Sequence, residues 1–342
     1  LVARAPLGAG VPYAPALLEA VDRLRTDAWL HFSARLLRPE HTAERAAWER
    51  LLDEVGDDSA RRLLMKFLDR RAEWWCFAGD DDAAAAERAL APLRTVGEHD
   101  PRNDLRAADL VEAIATLAEF WGTRLAALKH ARDALDKAQP WLAATPLEAT
   151  ADFRAAREIV LTKSKGTPVA ALTPDRVAPR LVGAGEAERY AQAHGLVLAR
   201  LEETGADIRS WQALRLNESA LACGRLLIDA YQRLKSQQQA LDFTDLEWHA
   251  HRLLADPDHA AYMQVRLDAR YRHILVDEFQ DTNPLQWQVL QSWLAGYGEL
   301  DESSAGDRPR LFIVGDPKQS IYRFRRAEPR VFDAARELLA RD

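Results

Sequence analysis

Cysteine is scarce: Cys76 and Cys223 are the only two in 342 residues. They lie far apart and outside any metal-ligand spacing, so the expectation is two buried thiols in a reducing, cytoplasmic compartment. No apolar run approaches the roughly 20 residues that span a bilayer, and no signal peptide is visible, so no membrane partner is expected. Basic charge is not in excess either. The formal net charge is −7, so any contact with nucleic acid must come from local patches rather than the field of the whole chain. Internal repeats and low-complexity tracts are missing. What remains is 48% hydrophobic and 29% charged, an ordinary globular composition, rich in the helix formers Ala, Leu and Arg. The length suffices for two domains with a sizeable core. The chain opens at Leu1 without methionine and stops inside a helical pattern at Asp342, so it is expected to be a piece of a longer protein.

Residues 1 to about 240 predict nearly continuous helix broken by short loops. Leu17, Val21 and Leu24 fall on one helical face, and residues 60–78 carry Leu63, Leu64, Phe67, Leu68, Trp74 and Trp75. Asp80, Asp81 and Asp82 precede a helical run at Ala83 and suit its N-terminus. One long helix is expected over 109–139, and two more over 186–203 and 215–239. Between them, residues 162–168 (TKSKGTP) form a basic turn whose lysines could touch a phosphate backbone or simply face solvent. The character changes near Leu241. Asp242 or Thr244 caps a helix, another covers about 259–271, and the first strand is expected at 272–276. Asn283 and Pro284 open the next helix, and a second strand follows at Leu311–Val314. Strand, helix, strand implies a parallel pair, apolar on both faces as in a buried parallel sheet. The expected fold class is therefore mainly α with a small parallel α/β part.

Each strand delivers polar groups at its C-terminal end, where open α/β sheets bind ligands. The first runs into Asp277-Glu278-Phe279-Gln280-Asp281, the second into Gly315-Asp316-Pro317-Lys318-Gln319. Asp277 is placed to hold Mg²⁺, and Glu278 to orient and deprotonate an attacking water. Gln280 can bond both to that water and to a phosphate oxygen. Gly315 and Asp316 form a tight turn that brings Gln319 toward a terminal phosphate. Beyond it Tyr322, Arg323, Phe324, Arg325 and Arg326 interleave rings with cations. That mixture suits single-stranded nucleic acid, which stacks bases on rings at about 1–3 kcal/mol each. A solvated pair of acids and core-facing rings are the plainer alternatives. The two motifs together favour a nucleotide site.

DEFQDT and VGDPKQSIYRFRRAEP resemble motifs II and III of superfamily-1 DNA helicases of the UvrD/Rep type, and LDFTDL resembles the segment those proteins carry before motif II. Within that group the chain is most similar to the helicase component of the AddAB/RecBCD recombination nucleases, with Glu73-Trp74-Trp75 and residues 161–166 as weaker echoes. The resemblance implies a RecA-like domain 1A of which residues 216–342 are the distal part. It implies that residues 1–215 are a helical 1B-like accessory subdomain. It implies ATP and Mg²⁺ as cofactors, with Asp277 and Glu278 the magnesium and general-base acids and Gln280 and Gln319 the γ-phosphate sensors. Tyr322 and Phe324 would stack bases, with Arg323, Arg325 and Arg326 beside them. The implied partners are single-stranded or duplex DNA and an AddB-like nuclease chain. Two positions depart from the pattern: Phe324 stands where many relatives have Trp, and Arg326 replaces a frequent Gly. A larger departure is that no GxxxxGK[ST] segment occurs in the chain. Two competing expectations follow: a non-catalytic DNA-binding or scaffold module with an incomplete nucleotide site, and a stand-alone metal phosphohydrolase on Asp277, Glu278 and Asp316.

Overall fold

The computed structural model describes residues 15–79, 81–94, 99–144, 153–295, 309–319 and 329–339. The chain forms two compact units, one of Leu1–Ala86 with Ser219–Asp342 and the other of Glu87–Glu218. The sequence pattern places residues 1–86 with the rest of the helical half. The packing instead groups them with the segment that carries both motifs.

In the motif-bearing unit the first element among the described residues is a strand, β1 (Ala16–Leu18), not the helix face that Leu17 and Val21 suggest. Its partner is β2 (Ala240–Asp242), paired in parallel from Ala16 with Ala240 to Leu18 with Asp242. Local periodicity cannot reveal a partner so remote in sequence. Helices follow at Asp22–Leu36, Thr42–Val55, Asp57–Asp69 and Arg71–Ala78. The expected 60–78 helix is thus two, divided at Arg70. Trp29, Phe32 and Trp48 pack edge-on or tilted where the first two helices meet. As expected, Asp81 caps the next helix by accepting the N–H groups of Ala83 and Ala84; Asp80 lies outside the described residues.

The second unit is helical. The segment expected as one helix over 109–139 is two, Ala108–Gly122 and Lys129–Ala143. Leu125 donates its N–H back to Phe120 and is fully buried, so the turn itself enters the core. Reversing the chain there lets both helices contribute to one apolar cluster with Ile114, Leu117, Trp121, Ala134 and Ala138. The opposite correction applies next. The helices expected over 186–203 and 215–239 are one helix of 52 residues, Glu186–Gln237, which ends two residues short of the expected bound. Gly205 does not break it. A Cβ there would stand 2.8 Å from the ring of Phe153, so the glycine makes room for an aromatic side chain instead. The basic turn is present: Thr162 and Gly166 close it with backbone bonds of 2.8 and 2.9 Å, and Gly166 takes φ 62°.

After β2 the helix Phe243–Ala255 begins with a capping box, in which Asp242 accepts from Asp245 N–H and Asp245 accepts from Asp242 N–H. The helix Pro257–Asp268 follows, then β3 (His273–Val276), the helix Pro284–Ala295, β4 (Arg310–Ile313) and the helix Pro329–Leu339. β3 and β4 are parallel, His273 facing Arg310 and Val276 facing Ile313, as the sequence predicts. Their expected burial on both faces is not found. Ile274, Val276, Leu311 and Ile313 turn toward the helices, while Leu275, Phe312 and Val314 are 75%, 63% and 47% exposed. Among the described residues, helices cover one face of this pair only.

Candidate active site

Both motifs meet at the C-terminal ends of β3 and β4. The ladder continues past the strands: Val314 donates its N–H to Val276 at 2.8 Å, and Phe279 donates to Val314 at 3.0 Å. Phe279 is buried, edge-on to Trp287 and Phe332. That anchor fixes the loop by apolar packing and leaves Asp277 and Glu278 at the rim. Asp277 and Glu278 are both exposed. Asp277 Oδ1 accepts the Glu278 N–H at 2.9 Å. Glu278 sits in the left-handed region, φ 52° and ψ 39°, a conformation costly for a residue with a Cβ. A short 3₁₀ turn, Phe279–Asp281, then redirects the chain.

Gln280 is only 4% exposed. Its Nε2 donates to Glu278 Oε2 at 2.5 Å, and its Oε1 accepts the Asp316 N–H at 2.9 Å. Asp316 in turn accepts from Lys318 N–H at 3.0 Å and from Gln319 Nε2 at 3.2 Å. The four residues singled out in sequence, Glu278, Gln280, Asp316 and Gln319, therefore form one hydrogen-bonded run across the two strand ends. Gly315 is where they cross. Tyr322, Arg323, Phe324, Arg325 and Arg326 lie outside the described residues.

The fit of a magnesium ion can be judged from the donor set. Asp277 and Glu278 offer hard carboxylate oxygens side by side at an accessible rim, the ligand type Mg²⁺ takes, usually one or two carboxylates with the rest water and phosphate. Among the described residues no group of three or more His, Cys, Asp or Glu side chains is placed to hold a metal by itself. The acids thus suit a metal that arrives with a phosphate ligand better than a self-sufficient metal centre.

A second cluster, missed in the sequence, lies in the same unit. Arg71, Lys235, Asp242 and Asp245 are all buried. Arg71 and Lys235 each pair with both carboxylates. Tyr231 donates to Asp242 at 2.8 Å, and the Arg71 guanidinium lies 5.1 Å above the Tyr231 ring. Burial alone would push the Asp242 carboxyl up, but the charges of Arg71 and Lys235 outweigh it and hold the group at about 2. The acids of LDFTDL are legible in sequence as helix caps. Their cationic partners come from distant helices. Cys223 is buried as expected, whereas Cys76 is half-buried and donates to Gln288; both are free thiols.

Comparison with known proteins bears on this geometry. The model of the UvrD/REP helicase N-terminal domain matches residues 160–339, more than half of the chain. The chain belongs to that family. Both strand-end motifs and the LDFTDL cap fall inside the matched region. Similar curated proteins include three that are each named as the A-type chain of an ATP-dependent helicase/nuclease. The Desulfitobacterium hafniense protein (strain DSM 10664 / DCB-2) is 43% identical over 102 residues, 30% of this chain and 7% of its own length. The Bacillus pumilus protein is 42% identical over 109 residues, 30% of this chain and 8% of its own. The Limosilactobacillus reuteri protein is 40% identical over 105 residues, 30% of this chain and 7% of its own. The chain thus matches a small fraction of these relatives' length. This UvrD/REP helicase domain has no helix, among the described residues, long and apolar enough to cross a membrane.

Proposed function

We propose that this chain is a segment of an ATP-dependent 3′→5′ DNA helicase, of the AddA helicase–nuclease type, that works in DNA recombination and repair. The observation that carries the reading is the hydrogen-bonded run from Glu278 to Gln319 at the ends of two parallel strands, within a chain of the UvrD/REP helicase family.

In this reading the motif-bearing unit supplies the distal part of a RecA-like domain, and Glu87–Glu218 supplies the helical accessory subdomain. Asp277 and Glu278 would hold Mg²⁺, which when bound neutralises phosphate charge. Glu278 orients the attacking water and takes its proton. Gln319 stands at the strand end where a terminal phosphate would be read, and the turn from Gly315 carries that state onward. Tyr322 and Phe324 would stack bases, with Arg323, Arg325 and Arg326 on the phosphates. DNA is the substrate. The relatives' names join helicase to nuclease, and an AddB-like nuclease chain is the partner in this reading. The exposed face of Leu275, Phe312 and Val314 is the surface that further parts of the RecA-like domain, including a phosphate-binding lysine loop, would cover. Without that loop the chain alone binds ATP weakly and turns over almost none.

The competing reading, a non-catalytic DNA-binding or scaffold module, is favoured by one fact: no GxxxxGK[ST] segment lies in the sequence. One substitution separates the two. In the protein that carries this chain with its remaining helicase segments, Glu278→Gln should keep DNA affinity and lose ATP turnover by about 10²-fold or more, the scale of a lost general base. Unchanged turnover would refute the motor.

A further inference from the structure

Glu278 sits exposed on a left-handed backbone, φ 52°, so burial does not aim its carboxylate. The aim comes from Gln280, whose Nε2 reaches Glu278 Oε2 at 2.5 Å. Gln280 is itself buried, and its other end is held by the Asp316 N–H at 2.9 Å. The sequence alone suggests that this amide faces water and phosphate. In the structure its Nε2 and its Oε1 each bond a protein group. Gly315 supplies an independent sign of the same arrangement. A Cβ at that position would lie 2.5 Å from Gln280 Oε1 and 3.0 Å from Phe279 N. The position is kept bare where the amide crosses between strand ends.

We infer that Gln280 is a positioning residue: it acts through Glu278, aiming that carboxylate and tying its orientation to the Asp316–Gln319 turn. The inference rests on the proposed role of Glu278 as the base. Its physical content is a coupling. The Asp316–Gln319 turn is bonded through the Asp316 N–H to Gln280, whose amide is bonded in turn to Glu278, so a shift of the turn is passed to that carboxylate. A carboxylate released from this tether samples several rotamers, and misplacing a catalytic group by about 1 Å costs on the order of 10²-fold.

The test measures DNA-stimulated ATP turnover, KM for ATP, DNA affinity and thermal melting in the protein that carries this chain with its remaining helicase segments. Three variants are compared: Glu278→Gln, Gln280→Met and Gly315→Ala. Methionine keeps the volume of glutamine without its hydrogen bonds. Alanine at 315 leaves Gln280 chemically intact but presses most closely on its Oε1, at 2.5 Å, and less closely on Phe279 N and the Phe332 ring, each at 3.0 Å. The expected result is a fall in kcat of about 10–100-fold in both Gln280→Met and Gly315→Ala, with KM, DNA affinity and folded fraction near wild type. Wild-type kcat in Gln280→Met beside an inactive Glu278→Gln overturns the positioning role alone. A lower melting temperature with unchanged kcat per folded molecule also overturns it and leaves Gln280 a packing residue. Should Gln280→Met not fold, Gly315→Ala decides: full kcat there overturns the inference. Turnover surviving in Glu278→Gln overturns the functional reading beneath it.

Discussion

Arg71 is 4% exposed, and its charge is answered by the equally buried Asp242 and Asp245. Such a cluster adds little net stability when intact, because desolvation offsets attraction, but it is costly to break. Arg71→Ala leaves two carboxylates facing one lysine and is expected to cost about 3–5 kcal/mol, read from urea denaturation. The pH dependence follows from Asp242, held at about 2 against the usual 3.8. A carboxyl depressed in the folded state contributes stability fully above its unfolded value and loses it as pH falls through the folded one. Stability attributable to Asp242 should therefore decline between about pH 4 and pH 2, and Arg71→Ala should shift acid unfolding to higher pH. An unshifted acid midpoint in that variant would contradict the assignment.

The long helix Glu186–Gln237 carries glycines whose surroundings differ. Gly195 is exposed, and a Cβ placed there would have nothing within 4 Å, whereas a Cβ on Gly224 would run into the ring of Phe67. Propensity alone favours Ala over Gly by about 1 kcal/mol in a helix interior. Gly195→Ala should realise about 0.5–1 kcal/mol of that gain. At Gly224 overpacking of about 1–3 kcal/mol competes and should win, because Phe67 is itself held against Trp74 with ring centroids 5.8 Å apart. Opposite shifts in the denaturation midpoints of the two variants are the expected outcome. Equal stabilisation of both would show that the Phe67 ring moves freely aside.

Leu275 and Phe312 are cross-strand partners in β3 and β4 and both are exposed. Apolar residues side by side on an open sheet face are an association surface. The chain by itself should self-associate with rising concentration in sedimentation, and Leu275→Lys with Phe312→Lys should suppress this without lowering the melting temperature. A wild-type chain that stays monomeric at high concentration would show that the face is otherwise protected.

Local chemistry was legible wherever a residue acts on its near neighbours. Asp81, Asn283 and Asp242 cap the helices that their positions suggest. The parallel pairing of β3 with β4 follows from two apolar runs and a helical crossover. The types of group at the strand ends, carboxylates and two amides, are fixed by sequence alone. Tertiary structure decided what depends on remote partners. β1 exists because β2 pairs with it. Arg71 and Lys235 become buried charges because Asp242 and Asp245 meet them. Gln280 turns from a free amide into a tether because Asp316 lies across the strand ends. Sequence sets the short-range preferences of each segment, whereas hydrogen bonds and ion pairs between distant segments form only where the completed packing brings their atoms within reach.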